Sequence, residues 1–273
     1  MKRLALSRKK VLFLAVLALA VAAAVLAGRG TTGPGPPPPP ICKHSTYTAN
    51  QPIVVAKVDA TASTQDPVLR SQYVDALDAV AAAATAEGAY FVVDTFGSVP
   101  AKTKTLCATS TRISGAAPLF VTARTAELRR ELAAIARRAS KTNEGARGSA
   151  IYGALVGAVQ EVSELRSDRH VAANIVIVTD GDEATKQAHL RLLLESGATN
   201  TTIVSRIVGK LPLPDARGMS IQMEGIGRLG NGRPISTTGA RRMVQIWQRI
   251  CGRSHPVRCS ITTDMLTNLT FGR

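Results

Sequence analysis

Apolar positions along the chain follow two periods. Short, near-continuous runs rich in Val and Ile read as buried strands: Ile53–Val58 (IVVAKV), Ala89–Gly97 (AYFVVDTFG), Asn174–Glu183 (NIVIVTDGDE) and Ser220–Gly227 (SIQMEGIG). Lys102–Ser110 (KTKTLCATS) is a weaker strand, expected to pair antiparallel with the one before it. Between these runs apolar residues recur at helical spacing, predicting helices over Val68–Gly88, Thr125–Ser140, Ser149–Leu165, Ala184–Gly197 and Thr237–Gly252. Gly88 reads as a helix stop. Gly153 and Gly157 share one helix face and would permit close packing there. Residues 198–218 are open between strand and helix, and the tail from Ser254 has little periodicity. Strands alternating with helices predict a doubly wound α/β fold with a mostly parallel central sheet flanked by helices. The ligand site of such a sheet lies beyond the carboxyl ends of its strands.

Upstream of this pattern the chain changes character. A basic start, residues 1–10, precedes 17 consecutive apolar residues, Val11–Ala27. This length is at the short end for a transmembrane helix and long for the apolar part of a signal peptide. The favoured reading is an uncleaved membrane anchor, with the basic residues holding the N-terminus in the cytoplasm. A signal peptide cleaved after Val25-Leu26-Ala27 is the alternative, giving a secreted protein, and both readings export the remainder. Residues 28–40 (GRGTTGPGPPPPP) form a linker whose prolines favour polyproline II, a semi-rigid spacer of about 3.1 Å per residue. Residues 41–273 are left for the globular domain.

Composition adds little to this picture. The chain is 45% hydrophobic but only 4% aromatic, so its core is aliphatic. Its formal net charge is +15, and outside residues 1–40 there remain 28 basic against 19 acidic residues. With no dense Lys/Arg block and no basic motif interleaved with aromatics in the globular part, nucleic acid is not an expected partner. The four cysteines, Cys42, Cys107, Cys251 and Cys259, all lie beyond the apolar segment. An even number in an exported chain suggests two disulfides. Cys251 with Cys259 would staple the C-terminal segment and Cys42 with Cys107 would tie down the start of the domain, although sequence alone leaves three pairings open. No Cys/His cluster has zinc spacing. Trp247, the sole tryptophan, falls at helical spacing with Met243, Val244 and Ile250, as a core residue would.

Polar residues that could cooperate follow the apolar strands. Asp59, Thr61 and Ser63 come after the first, Asp180 after NIVIVT, and Ser149 at the start of a helix. Two carboxylates and three hydroxyls at one sheet edge suit a hard divalent cation such as magnesium, with manganese or calcium as alternatives. Neutral hydroxyl ligands leave such an ion under-neutralised and receptive to an outside carboxylate. Asp182 and Glu183 near the same edge read as solvated acids, and Asp94 as an unpromising candidate.

The stretches VDATAS, GSAIYGAL and IVIVTDGDE together resemble the von Willebrand factor A-type domain, which is Rossmann-like, and its metal-ion-dependent adhesion site. That family's pattern is Asp-x-Ser-x-Ser after the first strand, a Thr before a later helix and an Asp ending the fourth strand. The resemblance implies that Asp59, Thr61 and Ser63 form the first motif. Ser149 then stands in place of the Thr, and Asp180 supplies the last ligand. Thr61 and Ser149 depart from the family residues, yet both keep the hydroxyl. The resemblance further implies direct contacts from Thr61 and Ser63, direct or water-linked contact from Ser149, and water-mediated contacts from Asp59 and Asp180. It covers roughly residues 50–252.

The expected function is a membrane-tethered, non-enzymatic module that binds a protein partner's acidic residue through the metal, in adhesion, envelope assembly or an export or conjugation machine. A degenerate, metal-free interaction domain is the main alternative. A phosphatase-like hydrolase is remote, because Thr61 stands where the second Asp of an Asp-x-Asp acid pair would be. Neither a Gly-x-Ser-x-Gly turn nor a phosphate-binding Gly-rich loop is present.

Overall fold

β1 (Ile53–Asp59) is buried at every residue and occupies the middle of a six-stranded sheet. Its neighbours are β2 (Tyr90–Phe96) and β4 (Ala173–Val178), both parallel to it and both wholly buried. β5 (Met219–Glu224) and β6 (Arg258–Ile261) extend the sheet in parallel on one side, and β3 (Lys104–Ser110) closes the other edge antiparallel to β2. The order is β3-β2-β1-β4-β5-β6. Its reversal between β1 and β4 places a crevice at their carboxyl ends. This computed structural model describes residue 42 and residues 45–61, 66–99, 103–113, 118–139, 148–166, 171–228 and 235–265. The expected anchor Val11–Ala27, the linker 28–40 and Ser63 lie outside them. No helix of the described residues is long and apolar enough to cross a membrane.

The alternation of side chains along each strand divides the core in two. Ile53 and Val55 of β1 join Val92, Ile175 and Ile221 on one face. That face is covered by α3 (Ile151–Leu165), α4 (Leu190–Glu195), α5 (Asn200–Val208) and α6 (Thr237–Cys251). Val54, Ala56 and Val58 join Phe91, Val93 and Val176 on the other, beneath α1 (Pro67–Ala86) and α2 (Pro118–Ala139). Strands buried on both faces need apolar residues at both parities, which is why β1 and β4 read as continuous runs.

Local signals set the helix ends. Asp66 caps α1, its Oδ1 accepting from the backbone N–H groups of Val68 (2.9 Å) and Leu69 (3.3 Å), and Pro67 pre-sets the first turn. Ser236 caps α6 through Gly239 N–H at 3.2 Å. α6 buries Met243, Ile246, Trp247 and Ile250, so Trp247 is a core residue. The open segment 198–218 contains a helix, α5.

Three expectations are corrected. Ala184–Gly197 is helical only over Leu190–Glu195, because Ala184 bridges back to His189 and the chain between them forms a turn. The tail holds a strand, β6, where none was expected. A Cβ at Gly157 would meet nothing within 4 Å, so the close packing expected there is not made. The cysteines pair as Cys42–Cys107 and Cys251–Cys259. Both disulfides belong to the chemistry of an oxidising, extracytoplasmic compartment.

Candidate metal centre

The end of β1, the turn before α3 and the turn after β4 meet at the carboxyl edge of the sheet. Asp59 closes β1 and is fully buried. Its Oδ1 accepts hydrogen bonds from Thr61 N–H (3.1 Å) and Thr61 Oγ1 (2.7 Å). Its Oδ2 accepts from Thr179 Oγ1 at 2.9 Å, across the parallel pair β1–β4 and 120 residues of sequence. Thr61 Oγ1 lies 3.0 Å from Ser149 Oγ, which the segment before α3 supplies. Asp59, Thr61, Ser149 and Thr179 are therefore one buried hydrogen-bonded cluster assembled from three segments. Burial raises the Asp59 carboxyl above its ordinary value, and the hydroxyls of Thr61, Ser149 and Thr179 oppose that shift.

Asp180 follows Thr179 at the same edge, 4% exposed, and its Oδ1 accepts from Asp182 N–H at 2.9 Å. Gly181 turns the chain with φ +78, and a Cβ there would stand 2.9 Å from Ile226 Cδ1. Trp247 Nε1 donates to Gly181 O at 3.0 Å, fixing the turn that carries Asp180. Tyr73 of α1 is fully buried, and its hydroxyl has no full hydrogen bond. Burial raises this phenol well above its ordinary value, and the charges of Asp180 and then Asp59 push it further in the same direction.

Glu183 is 3% exposed, so it is not the solvated acid expected from its position. Its Oε2 accepts from Tyr152 N–H at 2.9 Å, in the first turn of α3. Ala150, the residue before that helix, gives no side-chain cap, and Glu183 supplies one from a distant turn. Burial is the main cause that lifts its carboxyl to about 7, opposed by the amides of Tyr152 and Ile151. Asp182 instead pairs with Arg191, Nε to Oδ2 at 3.3 Å. Asp94 lies outside this cluster, within β2.

The donor set is all oxygen and mostly neutral, and it includes an orphaned buried hydroxyl, Tyr73 Oη. This chemistry fits a hard divalent cation bound by hydroxyls and carboxylates. It is not a cage of acids: among the described residues no group of three or more His, Cys, Asp or Glu is gathered that could hold a metal. Sequence reasoning missed Thr179, Tyr73 and Glu183. Counting by twos along β4 from Ile175 and Ile177 puts Thr179 on the face of Asp59, so the strand pattern contained that signal. Nothing comparable marks Glu183, whose role depends on a contact between distant turns.

A cleft of about 600 Å³ adjoins the cluster, lined by Ser98, Val99, Gly148, Thr185, Lys186 and His189 among others.

No family model matches the chain, and no curated protein matches it in sequence. Several solved structures are similar in backbone. A von Willebrand factor type A protein from Catenulispora acidiphila is 13% identical with a TM-score of 0.41, over 80% of this chain and 40% of that one. The manganese-loaded TRAP protein of Plasmodium vivax is 15% identical with a TM-score of 0.38, over 72% and 64%. The pilus adhesin SpaC of Lactobacillus rhamnosus GG, in an open conformation, is 8% identical with a TM-score of 0.39, over 82% and 30%. The alignments thus span less than two thirds of each of these neighbours.

Proposed function

We propose that this protein is an extracytoplasmic binding module that grips a partner protein through a divalent cation at the carboxyl edge of its sheet. The observation that carries this reading is the Thr61–Ser149 hydroxyl pair, 3.0 Å apart, with Thr61 bound in turn to the buried Asp59. Asp59, Thr61, Ser149 and Asp180 would hold the cation, with Ser63 as a further hydroxyl of the same loop. Magnesium is the first choice, and manganese and calcium share the required oxygen chemistry. When bound, the cation supplies a Lewis-acid position for a carboxylate of the partner. The chain's own residues orient one another: Thr179 fixes the Asp59 carboxylate, and Trp247 fixes the Asp180 turn. Exposed Lys186 in the adjoining cleft would favour an acidic segment. The reading is non-enzymatic: the hydroxyls serve as ligands. The basic, apolar and proline-rich segments at residues 1–40 would tether the module to a membrane and hold it off the surface.

A second reading has its own support. The Asp59 cluster is hydrogen-bonded within itself, as a degenerate, metal-free docking domain would require. Melting curves in EDTA and in millimolar magnesium or manganese separate the two. A cation at a hundredfold excess over its dissociation constant adds about 2.7 kcal/mol, or roughly 5–10 °C in Tm for a domain of this size. That rise is expected in the wild type and absent in Asp59→Ala. Trp247 gives a second readout, since its indole bonds to the residue after Asp180. Its emission should change on adding manganese to the wild type. Equal melting temperatures and an unchanged emission would favour the metal-free domain.

A further inference from the structure

A charged triad sits inside the domain. Lys57, in the middle of β1, is 2% exposed, and Asp94, in register with it on β2, is also 2% exposed. Both point to the face covered by α3, as the alternation from Ile53 and from Tyr90 requires. The Lys57 ammonium is paired with the Asp94 carboxylate and lies 2.6 Å from Glu161 Oε2 of α3. Glu161 also faces Asp94 directly. The second Asp94 oxygen, Oδ1, is buried with no hydrogen-bond partner.

This arrangement is a poor resting place for ions. Two carboxylates share one ammonium, and each ion gives up its hydration on entering a protein core. One reaction removes two of the three charges without bringing in any reagent. We propose that Lys57 and Asp94 condense into an amide cross-link between β1 and β2, with Glu161 carrying the protons.

Glu161 takes a proton from the Lys57 ammonium and passes it to an Asp94 oxygen, leaving a free amine beside a neutral carboxyl. The nitrogen lone pair forms a bond to Asp94 Cγ, and the carbonyl pair moves onto oxygen. Glu161 then removes a proton from the attacking nitrogen. The carbonyl re-forms, the C–OH bond breaks, and the departing oxygen takes that proton from Glu161 and leaves as water. Ammonium and carboxylate become amide and water, Glu161 ends as it began, and nothing is oxidised or reduced. Burial is the main cause raising the Glu161 carboxyl, with Lys57 opposing and Asp94 adding to the shift, which suits a group that must hold a proton briefly. Its side chain is 27% exposed, giving the water a route out. The inference is independent of the metal site, for it uses none of that site's residues.

The test is the mass of the full chain after disulfide reduction, beside Lys57→Met and Glu161→Gln carried through the same preparation. The wild type should be lighter than its sequence requires by one water. A tryptic digest should leave the bond after Lys57 uncut and join its peptide to the one containing Asp94. Both variants should have their full sequence mass. A wild type of full mass would overturn the cross-link. So would a missing water that survives in Lys57→Met, since cyclisation at Asp180–Gly181 loses the same mass. A linked Glu161→Gln protein would remove Glu161 from the chemistry. The joined wild-type peptides decide the main point even if a variant fails to fold: a missing water with the Lys57 and Asp94 peptides separate would overturn the cross-link.

Discussion

At the scale of single residues, Glu183 does from a distant turn what Ala150 cannot do for α3. It accepts the first-turn amide of Tyr152, and it does so nearly free of water. Burial raises its carboxyl from the ordinary 4.5 to about 7. The stability tied to it is therefore complete below pH 4.5 and is lost as pH rises through about 7. The loss is at most about 3.5 kcal/mol, at roughly 1.4 kcal/mol per pKa unit. Glu183→Gln keeps an acceptor for the amide and cannot ionise. Urea unfolding in EDTA should show a flatter pH profile for that variant between pH 4.5 and 7 and a higher midpoint at pH 8. Thr179 makes a second case. Its hydroxyl donates to Asp59 and accepts from Gly181 N–H at 3.1 Å. Thr179→Val orphans both partners and should cost about 2–3 kcal/mol, read as a lower urea midpoint. Asp59, Thr61 and Asp180 were legible in the sequence because each follows an apolar strand, and Ser149 because it opens a helix. Tyr73 and Glu183 were not, because a helix face and a long-range cap leave no local spacing to read.

Elements were legible in proportion to their length and burial. β1 and β4 announce themselves because both faces are covered, and α6 because its apolar stripe is sharply one-sided. β6 escaped notice because it has only four residues, Arg258–Ile261, and only Ile261 is buried. It is a strand because β5 offers it a ladder and because Cys259 is bonded to Cys251 at the end of α6. The two disulfides should differ in what they contribute. Loop-closure entropy gives about 2.5 kcal/mol for the pair separated by 8 residues and about 4 kcal/mol for the pair separated by 65. Replacing Cys251 and Cys259 with Ala should lower the denaturant midpoint less than replacing Cys42 and Cys107, with the first change concentrated in exchange of the β6 amides.

For the whole molecule, the mostly parallel sheet was implied by the alternation of strands and helices and the antiparallel pairing was expected at Lys102–Ser110, whereas the strand order came only from the structure. The excess of 28 basic over 19 acidic residues outside residues 1–40 says nothing about the fold, but it does set how the domain meets its surroundings. Binding to an acidic partner should therefore weaken steeply as salt is raised, a dependence that titrations at several ionic strengths would display. The Cys42–Cys107 bond also defines a load path. Tension applied to the N-terminus enters the body at Cys42 and passes by covalent bonds to Cys107 in β3. β1, α1 and β2 all lie between those two residues, so none of them can be drawn out by a pull on the chain ends. Stretched in a force spectrometer, the oxidised protein should extend roughly 220 Å less than a variant with Cys42 and Cys107 replaced by Ala, at about 3.4 Å for each of the 65 residues spanned. The strand that carries Asp59 is shielded from a steady pull, and a grip formed at its tip would give way before the strand itself was drawn out.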